Sequence, residues 1–402
     1  MTQDVKSSGR MASRKTRTSY DGVVACLPVT IPYRRYSTNS AHWWLGRALR
    51  ELVTRAGLRP SDIDGFAVSS FTVGPDTAVG LTQHFGLSPR WLDHIPFGGA
   101  SGIVALRRAA RAVQAGDAEI VACVAADTNH VDSFRKTLST FSRFAQDAVY
   151  PYGSGGANAS FALITKNYMN SYGAKREDFA KLCIAQRDNA LSIPHALMKK
   201  KLTLDEYMSA RPIADPIHLF DCVMPCAGAE ALLVCREDTA KSLNLPFVRI
   251  LSTVERHNAF PADPMQVRGG WALDIDELWS MAGRKPGDVD FVETYDDYPV
   301  IVMMQLEDLG FCKKGEGPDF VRSHSFTNDG SFPHNTSGGQ LSVGQAGAAG
   351  GSLGLVEAMR QLTAQPLGAA VPDAKTCLVS GFGMINYDRG LSSCAAILAR
   401  AA

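Results

Sequence analysis

Two segments at a constant offset of 226 constrain this chain more than any other feature. Residues 51–68 read ELVTRAGLRPSDIDGFAV and residues 277–294 read ELWSMAGRKPGDVDFVET. Glu51 matches Glu277, Ala56-Gly57 match Ala282-Gly283, Pro60 matches Pro286, and Asp62 and Asp64 match Asp288 and Asp290, without a gap. Each copy reads as a helix closing at a C-terminal glycine, a proline-containing turn and an apolar strand. A period near half of 402 residues describes two copies of one domain rather than a solenoid.

Downstream the halves keep the same order. FGGASG (97–102), IVALRRAARAVQAG (103–116) and EIVACVAAD (119–127) give a small-residue turn, a helix and a buried strand; GQAGAAGG (344–351), SLGLVEAMRQLTAQ (352–365) and KTCLVSGFGM (375–384) repeat them. Strands alternating with helices predict α/β halves, each with a mixed sheet. Each glycine turn feeds a helix N-terminus, where free N–H groups and the helix dipole favour negative charge, so two such turns brought together would form an oxyanion site. The Lys- and Pro-rich stretch 166–222 reads as an inserted loop region with short helices over that site. The expected organisation is an arm (1–21), a first half (22–165), the insertion (166–222) and a second half (223–402).

Bulk properties narrow the partners. Lys+Arg 41 against Asp+Glu 40 gives no reason to expect nucleic acid. Nine scattered cysteines lack zinc-finger or CxxC spacing and read as reduced core thiols of a cytoplasmic protein, with no metal site. No apolar run approaches the ~20 residues of a membrane span, and the basic, polar start lacks the apolar stretch of a secretory signal.

The motifs FGGASGIVAL, YPYGSGGANASFAL, PHA (194–196), ARPIADP (210–216), CVMPCAGAEALLV, VETYDDYP and HNTSGGQLSVGQAGAAGG, in this order, resemble the thiolase superfamily, in its SCP-x or lipid-transfer-protein branch, over about residues 22–399. The resemblance implies the thiolase fold: two pseudo-twofold halves of βαβαβ type in an αβαβα sandwich, acting on a coenzyme A thioester with no tightly bound cofactor. It also implies a homodimer paired through the strand around 119–127. Members of this branch often accompany a small zinc-ribbon/OB-fold partner, which would have to be a separate chain.

Against the family's motifs the usual chemistry is missing. The nucleophilic Cys position falls on Gly99, the activating His of the G-H-P-x-G loop on Gln345, and the second Cys on Val379; the H-D-x-F or N-E-x-F motif reads Tyr295-Asp296-Asp297-Tyr298. Thiolysis needs a thiolate to take the acyl group and a base to make it, and neither a glycine nor a glutamine supplies one. Thiolase-like aldolases of steroid side-chain degradation resemble this branch and carry a Tyr-Asp pair at Tyr295-Asp296, but place a second Tyr where Gln345 stands. They cleave a β-hydroxyacyl-CoA by retro-aldol reaction.

The candidate catalytic set is therefore Tyr295, Asp296, His334 and Gln345, the last as a neutral donor to a carbonyl. His334 would replace the loop histidine if its ring turned inward, although a lone histidine is commonly structural. Gly99, Ser101, Asn335, Gly344 and Gly383 are the candidates around the oxyanion and substrate loops; Ser101 is also a helix cap by residue type. His195 and Lys199, in the insertion, are candidate coenzyme A contacts, and Phe134, Phe141, Phe144, Tyr150 and Tyr152 candidate pocket aromatics. Three readings stay open: a retro-aldol acyl-CoA lyase, an acyltransferase using another cysteine, and a non-catalytic acyl-CoA-binding subunit.

Overall fold

A computed structural model describes residues 19–73, 77–130 and 156–401. The arm, apart from its last residues, and the five aromatics between 134 and 152 lie outside the described residues. The first half contributes β1 (Val23–Arg34), α1 (Ala41–Ala56), β2 (Gly65–Ser69), α2 (Ala78–Phe85), β3 (Trp91–His94), α3 (Ser101–Ala115) and β4 (Ile120–Asp127). Two long helices follow, α4 (Ala157–Tyr172) and α5 (Arg176–Ala190), then β5 (Ala227–Arg236). The second half contributes β6 (Phe247–His257), α6 (Trp271–Ala282), β7 (Phe291–Glu293), α7 (Pro299–Asp308), α8 (Gly339–Val343), α9 (Gly350–Leu362), β8 (Thr376–Asn386) and β9 (Arg389–Arg400).

The duplicated segments fold alike, down to their hydrogen bonds. α1 and α6 each end at a left-handed glycine, Gly57 (φ 67°) and Gly283 (φ 59°), the conformation glycine adopts without a Cβ penalty. Asp62 and Asp288 then accept the backbone N–H of Arg59 and Lys285 in matching one-turn helices. Asp64 accepts from the amides of Glu119 and Ile120 at the start of β4, and Asp290 from those of Lys375 and Thr376 at the start of β8. The same acid therefore ties the same two strands together in each half.

The strands run β3-β2-β4-β5-β1-β6-β9-β8-β7 in a single nine-stranded sheet. The halves join where β1 and β6 pair antiparallel over a short stretch, Val24 opposite Arg249 to Cys26 opposite Phe247. Side chains of β1 alternate: Val23 and Ala25 pack with α3 and α9, while Val24 and Cys26 pack under α1. The second half likewise buries Cys377 and Val379 against α3 and α9, and Leu378 with α6 and α7. α3 and α9 thus form a central layer covered on both sides, which gives the expected sandwich. They touch at glycine, for a Cβ on Gly102 would meet the Gly351 carbonyl and one on Gly351 the backbone of Gly98 and Gly99.

Three expectations change. The 166–222 region holds the long helix α5 besides short ones, and its proposed start falls inside α4. The boundary at 222/223 shifts because β5 pairs with β4 and β1, so it completes the first half's sheet and the second half begins at β6. β4 (Ile120–Asp127) cannot pair two copies of the chain, since β2 and β5 already hydrogen-bond to its two edges; among the described residues the edge strand of this half is β3.

Candidate active site

The strand ends and glycine turns of both halves meet around a cavity of about 340 Å³. Its walls are largely apolar, with Phe161, Ile213, Val223, Phe382 and Met384 among them, and its polar floor includes Tyr295, Asp297 and Gln345. The two turns have the same shape. Gly98 (φ 56°) and Gly347 (φ 53°) each open a one-turn 3-10 helix leading into α3 and α9. Past Gly98 comes Gly99, and a Cβ there would overlap the ring of Tyr295 and the carbonyl of Phe382. The position where thiolases carry their nucleophile thus has no side chain and no room for one: the Tyr295 ring fills the space.

Tyr295 follows β7, and its hydroxyl accepts a hydrogen bond from Gln345 Nε2 at 3.1 Å. The same nitrogen donates to Asp297 Oδ1 at 2.7 Å, and Asp297 lies within hydrogen-bonding reach of the Tyr295 hydroxyl. Burial, reinforced by the Asp297 charge, pushes the Tyr295 phenol well above its ordinary value, so it stays protonated. Burial also raises the Asp297 carboxyl, to about 7, against a lowering hydrogen bond from Tyr295. Asp297 is therefore the group of this cluster that changes charge near neutrality. The Gln345 amide, expected to reach a substrate carbonyl, directs its hydrogens to Tyr295 and Asp297 in this structure. Its loop is held by backbone bonds, Gln345 N–H to the Met224 carbonyl (2.9 Å) and Cys226 N–H to the Gln345 carbonyl (2.9 Å).

Asp296 turns away from the cavity. Its carboxylate accepts from the Gln340 amide at 2.9 Å, the Leu341 amide at 3.2 Å and Gln186 Nε2 at 2.8 Å, holding the first turn of α8 against α5. Its carboxyl is raised by burial to about 6, those hydrogen bonds opposing the rise. His334 is fully buried and does not line the cavity. Its backbone makes a single parallel bridge to Val292 of β7, the place that β3 holds beside β2 in the first half, and its Nε2 meets Thr294 Oγ1 at 2.8 Å. Burial holds the imidazole at about 3, hence neutral.

Of the loop candidates, Gly99 and Gly383 line the cavity. Ser101 does not: its hydroxyl donates to the Ile95 carbonyl (2.9 Å) and accepts from the Phe97 amide (3.1 Å), fixing the approach to the first turn. Asn335 (φ 43°) accepts from the Thr294 amide at 2.8 Å behind the floor, and Gly344 packs against Leu197 and Cys226. Neither coenzyme A candidate reaches the cavity. Lys199 Nζ caps the carbonyls of Ile193 and Pro194, and His195, lowered to about 4 by burial and the charges of Arg360 and Lys199, packs by Tyr33.

Among the cavity-wall residues that the sequence reading did not single out is Asp127. Asp127, at the end of β4, accepts from Ser70 Oγ (2.7 Å), Thr72 Oγ1 (2.7 Å), the amides of Phe71 and Thr72, and the Ala348 amide of the second glycine turn (2.6 Å). Its signal was an acid closing an otherwise apolar strand, EIVACVAAD. Among the described residues no group of three or more His, Cys, Asp or Glu is placed to hold a metal ion, and no helix is long and apolar enough to cross a membrane.

Residues 276–400 match the family "Thiolase C-terminal domain-like". The chain is 30% identical over 330 residues (78% of this chain, 83% of the relative) to the steroid side-chain-cleaving aldolase of Thermomonospora curvata. It is 29% identical over 336 residues (78% and 84%) to the 17-hydroxy-3-oxo-4-pregnene-20-carboxyl-CoA lyase of Mycobacterium tuberculosis. The solved structure of the Ltp2-ChsH2(DUF35) aldolase superposes with a TM-score of 0.80 at 25% identity, over 94% of this chain and 98% of that one.

Proposed function

Because this chain belongs to the thiolase superfamily, in its branch of thiolase-like aldolases, we propose that it cleaves a carbon–carbon bond of a β-hydroxyacyl-CoA by retro-aldol reaction, without a covalent intermediate. The observation that carries this reading is the Tyr295 ring standing over Gly99, with Asp297 and Gln345 upon its hydroxyl. The substrate's β-hydroxyl gives its proton to the Tyr295 oxygen as the phenol's own proton passes to Asp297. The β-oxygen becomes the carbonyl of the departing aldehyde or ketone, the Cα–Cβ bond breaks, and its electron pair enters the thioester as an enolate. A proton returning from the Tyr295–Asp297 pair to Cα completes the shorter acyl-CoA, and no free coenzyme A is consumed. A raised carboxyl suits this work, since a base with a value near the working pH is ionised yet strong enough to accept a proton.

The alternative of an acyltransferase with another nucleophile has little support. Cys222 and Cys226 line the cavity, but burial pushes the Cys222 thiol up to about 12 and the Cys226 thiol well above its ordinary value, and among the described residues no histidine lines the cavity. We propose further that it works with a DUF35-type partner, a reading supported by its likeness to the solved Ltp2-ChsH2(DUF35) aldolase, and as a homodimer in the cytoplasm. The test incubates the purified chain, with and without such a partner, with a series of β-hydroxyacyl-CoA thioesters. Release of a carbonyl compound and a shorter acyl-CoA, insensitive to thiol alkylation, is expected; cleavage that requires free coenzyme A and stops on alkylation would establish the acyltransferase instead.

A further inference from the structure

A retro-aldol cleavage needs a hydrogen-bond donor on the thioester oxygen, where negative charge collects as the enolate forms. Gln345, the residue expected to supply it, has both amide hydrogens engaged. The other side chains around the cavity with N–H or O–H groups, among the described residues, are Thr72, Thr128, Asn129, Asn158, Arg211, Tyr295 and Tyr298. Most are already occupied. Thr72 donates to Asp127 and Thr128 to the Asn39 carbonyl, while Asn129 Nδ2 donates to the carbonyls of Arg35 and Pro225. Tyr295 faces Asp297 as part of the proton-transfer pair, and Tyr298 donates to Asn158. Two side chains keep a free donor: Arg211 and Asn158.

Arg211 is exposed at the rim, where water screens it. Asn158 lies on the first turn of α4, half-buried, with its orientation fixed. Its Oδ1 accepts from the Tyr298 hydroxyl and from Cys222 Sγ (3.8 Å), both of which carry their hydrogens. Tyr298 in turn is stacked on Phe161, one helical turn from Asn158 (4.0 Å between centroids, 26°). With its oxygen held on that side, the amide must present its Nδ2 hydrogens elsewhere. We propose that Asn158 Nδ2 is the donor that binds the thioester oxygen of the substrate. This rests on the reading that the cavity takes an acyl thioester, and it names the group that stabilises the enolate there.

The test compares the affinities of hexanoyl-CoA and S-hexyl-CoA, a thioether with a methylene in place of the carbonyl, for the full chain, Asn158→Leu, Asn158→Asp and Arg211→Ala. Asn158→Asp guards against misfolding, because it keeps the Oδ1 acceptor for Tyr298 while removing the donor. The wild type is expected to prefer the thioester by roughly fivefold or more, Arg211→Ala to keep that preference, and both Asn158 variants to lose it. Where the aldol reaction is measurable, Asn158→Asp should lower kcat by about 10²-fold with a smaller change in KM, the signature of a donor that matters most in the transition state. A wild-type preference that survives in both Asn158 variants overturns the proposal whichever reaction the enzyme runs, as does a wild type without preference. A preference that Asn158 controls in a protein that cleaves no β-hydroxyacyl-CoA keeps the donor and discards the aldol reading. Failure of the wild type to bind either probe removes the acyl-thioester reading and the proposal with it.

Discussion

The two glycine turns are the same device in two environments. At the second turn, the Ala348 amide is bound by Asp127, the last residue of β4. At the first, the strand arriving from the other half is β8, and counting from the matched strand starts at Ile120 and Thr376 puts Gly383 where β4 has Asp127. Gly383 fits so tightly that a Cβ would run into the Phe97 carbonyl. One turn thus receives a carboxylate, and the other a glycine where that carboxylate would stand. The strand ends differ in the opposite sense. After β2, the Ser70–Thr72 stretch wraps Asp127 and satisfies it, whereas in the second half the chain leaving β7 presents Tyr295 and Asp297 to the cavity. Symmetric scaffolding thus carries one side that faces the cavity with titratable groups and one whose carboxylate is spent on backbone and hydroxyl donors.

Removing the titratable groups that face the cavity should have the largest effect. Tyr295→Phe and Asp297→Asn are each expected to lower kcat by ~10²–10⁴-fold with the fold intact by circular dichroism; a loss below tenfold in both would return the reaction to other residues. The pH dependence follows from the base: in the wild type kcat/KM should rise with pH through about 7, as Asp297 ionises, and Asp297→Asn should flatten that rise. Asp296, raised to about 6 beside it, makes the observed value a property of the pair.

Next is an attempt to make the first turn thiolase-like. Gly99→Cys should produce no thiolase, because its Cβ overlaps Tyr295, and overpacking of this kind costs about 1–3 kcal/mol. Its readouts are an absent acyl-cysteine adduct by mass spectrometry, a lower Tm and a lower aldol rate. Asp127→Ala breaks the hold on the second turn and strands several donors, so it should destabilise by about 2–4 kcal/mol in denaturant titration, more than Ser101→Ala at the first one.

Asp297→Asn also has a smaller, opposite signature. A carboxyl raised by folding binds its proton more tightly in the native state, so the wild type loses stability as pH rises from the unfolded carboxylate range through about 7. The variant should therefore gain Tm over the wild type above pH 7, and the gain should vanish near pH 4. His334→Gln should leave the pH profile of kcat/KM unchanged, since the buried ring stays neutral.

Much of the fold could be read from the sequence because paired landmarks do identical jobs: Gly57 and Gly283 stop helices, Asp64 and Asp290 tie strands. β5 was misassigned because an apolar strand records its burial and not its neighbours. The length of the insertion's main helix is not legible because polar side chains in it are interior, Asp178, Gln186, Arg187 and Asn189 of α5. At the site, Tyr295 and the empty position at Gly99 were visible as residue types. The choice between Asp296 and Asp297 was not, for it depends on how the backbone turns after β7. Gln345 was read as a donor to substrate because its partners are distant in sequence.

The contact of Gly102 with Gly351 at the centre of the molecule has a further consequence. Main chain lies directly on main chain there, and no rotamer is available to absorb an error. The crossing therefore acts as a gauge block between the two halves' strand ends: it sets their separation by peptide dimensions, and sequence drift in the surrounding shell cannot retune it. Changes of substrate in this lineage would have to come from the cavity's walls, leaving the distance across the floor constant.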